Sequence, residues 1–129
     1  MTGTNGLAQK VAEDFVRAWT SKDVDKALSL LADDVVCEAP NGAFEGVEGY
    51  RRFLEPFALS LTSAAVIDVL GDDTHAAAVY TTDTPFLKDF RGIDYITVEN
   101  GKITRVISVF DRLPMHLAGG DVQKKAASR

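Results

Sequence analysis

Apolar positions recur at helical spacing in the first half of the chain and at strand spacing in the second. Leu7, Val11, Phe15 and Ala18 share one helical face, with Ala8, Ala12, Val16 and Trp19 beside it. So wide a stripe predicts a helix packed against a large surface. Thr20-Ser21-Lys22-Asp23 interrupts it, and Asp23 is placed to cap a second helix that turns Val24, Ala27, Leu28 and Leu31 inward. Asp33-Asp34 ends that helix, and 35–39 reads as a short strand closed by Pro40-Asn41-Gly42. A third helix is predicted from Gly46 to Leu59, with Tyr50, Phe53, Leu54, Phe57 and Leu61 at spacings of three and four. Pro56 is expected to end or kink it near Glu55. Strands follow at roughly 62–70, 75–83, 86–98 and 102–112, with Gly71-Asp72-Asp73 and Pro85 as breaks and Pro114 as a stop. The last two flank Glu99-Asn100-Gly101-Lys102, where Asn-Gly supplies the positive φ of a tight hairpin turn.

Helices followed by a run of strands predict an α+β fold: a curved antiparallel sheet with three helices of the N-terminal half across its concave face. Such layers leave an apolar pocket between them, the usual place for a small-molecule ligand. At 129 residues the chain reads as one domain, with 1–6 and 118–129 as tails lacking a core face. Net charge is −5, and the fourteen basic residues form no stripe, which disfavours nucleic acid as a partner. Cys37 is the single cysteine, so no internal disulfide or cysteine-rich metal site is expected. Glu13 and Asp14 interrupt the opening residues, which do not read as a secretory signal, and no apolar run reaches membrane-spanning length. A cytoplasmic protein without membrane attachment is the expectation.

Three aspartates lie on or beside the strand runs: Asp83, Asp94 and Asp111. Burying a carboxylate is costly unless it is hydrogen-bonded, paired or protonated, so these acids are where chemistry is sought. The alternatives are structural. Asp111 can cap a turn at a strand end, Asp94 can pair with Arg91 or Arg105, and Asp83 can open the Thr84-Pro85 turn. Glu38 sits on a short strand and reads equally as an edge charge. His75 lies in a turn and His116 beyond Pro114, and neither has metal-ligand spacing to a neighbour. Cys37 lacks a nucleophile's partner pattern, and there is no phosphate loop or nucleotide fingerprint. No cofactor and no metal are expected.

Three phrases, with the element order, carry a resemblance. They are Ala27-Leu28-Ser29-Leu30-Leu31-Ala32-Asp33-Asp34-Val35-Val36, then Gly46-Val47-Glu48-Gly49-Tyr50 with Phe53, then Glu99-Asn100-Gly101-Lys102-Ile103. The chain resembles the nuclear-transport-factor-2-like superfamily of cone-shaped domains, and within it the SnoaL-like group. That group includes polyketide cyclases, ketosteroid isomerases and limonene-type epoxide hydrolases. Against the isomerase pattern, Asp94 falls at the protonated-aspartate position, while the base position before Pro40 is Ala39 and the oxyanion tyrosine is Phe15. Glu38, one residue early, replaces the base only across a bulge. Against the epoxide hydrolases, Asp111 matches the last-strand aspartate and Asp83 the inner one, with Thr81 at the arginine position. The single acid/base aspartate of the cyclases is also compatible with Asp111. The resemblance thus implies aspartate acid/base chemistry, as in epoxide hydrolysis or polyketide or terpenoid cyclisation, with Asp111 as principal group and Asp94 and Asp83 as partners. Phe15, Trp19, Glu38, Tyr50, Phe53, Phe57 and Phe110 are the implied substrate contacts, and a homodimer through the sheet the implied assembly. The competing expectation is a non-catalytic binding or dimerisation domain, or an isomerase with an altered base.

Overall fold

The computed structural model describes residues 6–115. His116 and both expected tails, 1–6 but for Gly6 and 118–129, lie outside the described residues. Helix α1 (Leu7–Thr20) buries Ala8, Val11, Ala12, Phe15, Val16, Ala18 and Trp19, the face its periodicity marks. Asp23 caps α2 (Val24–Ser29), its side chain accepting from the Lys26 backbone N–H at 3.2 Å. Strand β1 (Leu31–Ala39) starts four residues earlier than expected. Asp33 and Asp34 therefore stand in a strand, within a bulge between the Leu31 and Val36 pairings.

A short strand, β2 (Gly42–Glu45), returns along β1 before α3 (Gly46–Ser60) begins. The helix does not end at Pro56, one of the two outcomes expected there: α3 continues through it to Ser60. Pro56 removes only the bond to the carbonyl of Arg52, and both residues are exposed, so water can serve that carbonyl.

The remaining strands are β3 (Ser63–Gly71), β4 (His75–Asp83), β5 (Phe90–Glu99) and β6 (Lys102–Phe110). They form the expected meander, although β5 opens at Phe90 and β6 closes at Phe110, both shorter than their apolar patterns. Asn100 and Gly101 adopt φ of 54° and 77°, the turn that Asn-Gly predicts. A single turn of helix, α4 (Arg112–Met115), follows β6 in place of the last strand residues.

The six strands run in the order β2-β1-β6-β5-β4-β3. Neighbours are antiparallel except β1 and β6, which are parallel because α3 and the whole meander intervene between them. The sheet curves without closing, and α1 and α3 pack across its inner face, α1 on β3–β5 and α3 on β1 and β2. This is the α+β architecture the element order implies.

Candidate functional site

Strand alternation sets the site. On β5, Phe90, Gly92, Asp94, Ile96 and Val98 are buried, whereas Arg91, Ile93 and Tyr95 are exposed. On β4 the inward row is Ala76, Ala78, Tyr80 and Thr82. Asp94 lies opposite Ala78 on one side and Ser108 on the other. Asp94 is 2% exposed. Tyr80 Oη and Ser108 Oγ both donate to its Oδ1, at 3.1 and 2.9 Å. Oδ2 accepts neither. The indole N–H of Trp19 is near enough to favour the carboxylate's charge, yet Nε1 is buried and makes no hydrogen bond.

Burial is the largest influence on Asp94 and raises its pKa to about 6, against the lowering effect of the Ser108 and Tyr80 hydroxyls. Gly92 makes the geometry possible. A Cβ there would lie 2.7 Å from Tyr80 Oη, so the missing side chain is what lets the phenol lie across β5 and reach Asp94.

The carboxylate opens onto a cavity of about 470 Å³, of ordinary size for a small-molecule site. Its walls are mostly aromatic: Phe44, Phe53, Phe57, Phe86, Phe90 and Phe110, with Leu54 and Leu87. Trp19 meets Tyr80 edge-on at 4.8 Å and Phe57 at 5.9 Å, fixing the floor. Tyr50 descends from α3 to the same floor, stacked on Phe15 and Phe53 at 6.0 and 5.9 Å. Its hydroxyl titrates well above the ordinary phenol value, first through burial and then through the nearby Asp94 charge, so it stays protonated. Among the described residues the hydroxyl makes no side-chain hydrogen bond, and Tyr50 is part of the cavity lining.

Of the sequence candidates, Asp94, Trp19, Tyr50, Phe53, Phe57 and Phe110 line this cavity. Phe15 is fully buried behind Tyr50 rather than in the lining. Glu38 faces the outer side of the sheet and pairs there with Arg105. The pairings Val36–Arg105, Cys37–Val106 and Glu38–Ile107 run in step, so no bulge turns Glu38 inward.

Asp83 and Asp111 also fall outside the cavity, and the structure does not gather the three aspartates. Asp83 follows the inward Thr82 and so takes the opposite parity. Its Oδ2 accepts from Ser63 Oγ at 2.6 Å and its Oδ1 from the Asp89 backbone N–H at 2.8 Å. Those two bonds, Ser63 first, hold its pKa below the ordinary value. Asp111 lies past the end of β6, exposed, its Oδ1 accepting from the Leu113 N–H at 2.9 Å. Cys37 is buried, and desolvation, then the Asp94 charge, push its thiol up to about 12, which keeps it unreactive at neutral pH. His75 is exposed against Tyr95. Among the described residues no three His, Cys, Asp or Glu side chains could hold a metal ion, and no helix is long and apolar enough to cross a membrane.

Tyr80 and Ser108 were not singled out in the sequence. Their signal is faint but present: each is a hydroxyl on the inward parity of a strand flanking the one that carries Asp94. Gly92 gives a second hint, a residue without a side chain inside an otherwise well-filled strand.

A curved open sheet with helices closing an apolar, carboxylate-floored cavity defines a nuclear-transport-factor-2-like cone domain. The chain belongs to the SnoaL-like family within that class, whose domain matches residues 12–106. No curated protein matches it. A crystal structure of a protein from Kribbella flavida DSM 17836 is 34% identical, with a TM-score of 0.85 over 92% of this chain and 98% of that one. A candidate ketosteroid isomerase from the same organism is 21% identical, with a TM-score of 0.68 over 83% of this chain and 79% of its own. A candidate polyketide cyclase from Xanthomonas campestris pv. campestris is also 21% identical, with a TM-score of 0.68 over 84% and 93%. The last two likenesses are of fold alone.

Proposed function

We propose that this protein is a proton-shuttling isomerase or cyclase acting on an apolar carbonyl compound, with Asp94 as the group that moves the proton. One observation carries the reading: a buried carboxylate on the floor of an aromatic cavity, with one oxygen fixed by two hydroxyls and the other unbonded. A carboxylate with a pKa of about 6 is mostly ionised at neutral pH, yet basic enough to remove a proton α to a carbonyl. In this mechanism Oδ2 of Asp94 takes that proton while the carbonyl oxygen gains negative charge. The Tyr50 hydroxyl donates a hydrogen bond to that oxygen. Protonated Asp94 then returns the proton to a different carbon, completing an isomerisation, or to the alkoxide formed by ring closure, completing an aldol-type cyclisation.

Epoxide hydrolysis, which the sequence put beside cyclisation in the leading expectation, suits this lining less well. Its two-carboxylate form needs an acid for the epoxide oxygen and a base for water at the same moment, and Asp83 and Asp111 are outside the cavity. A single carboxylate suits reactions in which the proton leaves and returns to the same molecule.

The test is exchange of α-protons for deuterium, followed by NMR across a panel of aryl and alicyclic ketones in D2O. The protein should accelerate exchange for at least one ketone, with kcat/KM rising with pH to a plateau above an apparent pKa near 6. Asp94→Asn should abolish it, and Tyr50→Phe should slow it by roughly ten- to a hundred-fold in kcat. Exchange that survives Asp94→Asn would end the assignment.

A further inference from the structure

The cavity lining holds two charged side chains, Asp94 at the floor and Arg52 on the helix side. Neither is explained by folding. Arg52 makes no ion pair among the described residues, although carboxylates are close along α3. Glu48 and Glu55 both turn to its neighbour Arg51, at 3.5 and 3.1 Å, and Asp25 from α2 joins them at 3.1 Å. One arginine is thus held by three acids while the next faces the cavity with none.

Helical spacing shows where on the wall Arg52 stands. Tyr50 and Leu54 form the buried row of α3, Phe53 and Phe57 the half-buried row beside it, and Arg52, Pro56 and Ser60 the exposed row beyond. The lining therefore grades from hydroxyl and carboxylate at the floor, through aromatic rings, to a cation at the rim. Asn41, exposed on the turn between β1 and β2, is a further polar residue of the lining.

We propose that Arg52 anchors a carboxylate, so that the substrate is an amphipathic anion: an apolar body with a ketone at one end and a carboxylate at the other. Arginine binds a carboxylate through two parallel N–H···O bonds, and apolar walls strengthen such a contact relative to open water. With the carboxylate held at the rim, the body lies along the aromatic rows and the ketone reaches Asp94 and Tyr50. The anchor also fixes direction, since the reversed ligand would set its carboxylate against the charge of Asp94. This inference rests on the reading of Asp94 for the ketone end, but the anion site is measurable without turnover.

The experiment uses a ladder of ω-aryl-ω-oxoalkanoates of increasing chain length, each with its methyl ester, titrated calorimetrically into the protein at low ionic strength. At least one acid should bind roughly ten-fold tighter than its ester, a gap that narrows as salt is added. Arg52→Gln should remove the gap by weakening the acid, and Arg52→Lys should keep part of it. Asp94→Asn should keep the gap while abolishing deuterium exchange into the bound ketone. If no rung of the ladder shows an acid–ester gap, or the gap survives Arg52→Gln, the anchor is wrong. A gap that depends on Arg52, with no exchange at any rung, would keep the anion site and remove the proton shuttle instead.

Discussion

At the scale of the residue, the buried carboxylate of Asp94 works against stability, and its proposed role in proton transfer is what would set against that cost. Its pKa is about 6 in the folded chain and near 3.8 when unfolded, so between those values the folded state binds more protons. Stability from this group is therefore complete below the unfolded value and declines as pH rises through about 6. The difference corresponds to about 3 kcal/mol at neutral pH, an upper figure for a carboxylate whose neighbours can relax. Asn at the same position keeps an Oδ1 that can accept from Tyr80 and Ser108 but never carries the charge. Asp94→Asn should then be inactive yet more stable than the parent at pH 7.5, by about 1–3 kcal/mol, with the gain shrinking toward pH 4. Urea unfolding at the two pH values measures this directly, and a loss of stability at pH 7.5 would mean that the charge is held by attraction rather than tolerated. The identity of this residue was legible in the sequence because an acid inside a β-rich run conflicts with its surroundings. Its rank among the aspartates was not. Asp83 and Asp111 sit in similar runs to Asp94, and what separates them is the outward parity of Asp83 on β4 and the end of β6 at Phe110, one residue before Asp111.

At the scale of the element, the site depends on β4 and β5 pairing so that Tyr80 crosses directly over Gly92. Gly92→Ala would place a methyl 2.7–2.8 Å from the Tyr80 ring and hydroxyl. The ring must swing away, removing one donor from Asp94 and disturbing the edge contact with Trp19. We expect a loss of about 1–3 kcal/mol from overpacking. Losing the Tyr80 donor should also move the midpoint of the exchange–pH profile upward, because a bond that favours the charged form is gone. Unchanged Trp19 fluorescence and an unchanged pH midpoint would show that Tyr80 does not hold the carboxylate. Elements with strong local signals were plain in the sequence: the α1 face, the Asp23 cap, the α3 stripe and the Asn100-Gly101 turn. What escaped is set by contacts distant along the chain. β1 reaches back to Leu31 because β6 offers it a parallel edge, and β2 exists because β1 does. Pro56 stays within α3 because the carbonyl it strands faces water.

At the scale of the molecule, the outer face of the sheet carries the remaining unabsorbed pattern. Val79, Ile93 and Val109 pair across β4, β5 and β6 in one row, with Ala77, Tyr95 and Ile107 in the next. Ile93, Tyr95 and Val109 are 39%, 42% and 53% exposed. These six positions are uncharged and contiguous, whereas charges stand at their margin: Asp68 opposite Val79 on β3, Arg91 on β5, and the Glu38–Arg105 pair. An apolar centre with a charged rim is the composition of an interface core. A second copy of this chain is the proposed occupant, since one patch can serve both partners across a two-fold axis and no complementary surface need exist elsewhere. The cavity lies on the opposite face of the sheet, so pairing would leave its mouth open and back the β5 strand that carries Asp94. Sedimentation equilibrium should give twice the chain mass at micromolar concentration. Ile93→Lys combined with Tyr95→Lys should return the mass to that of one chain without changing Trp19 fluorescence. A single-chain mass for the unaltered protein at high concentration would assign the patch to something other than self-association. If instead the dimer forms and its disruption lowers exchange activity while leaving ligand affinity unchanged, the partner's role is to stiffen β5 and hold Asp94 at its angle to the bound ketone.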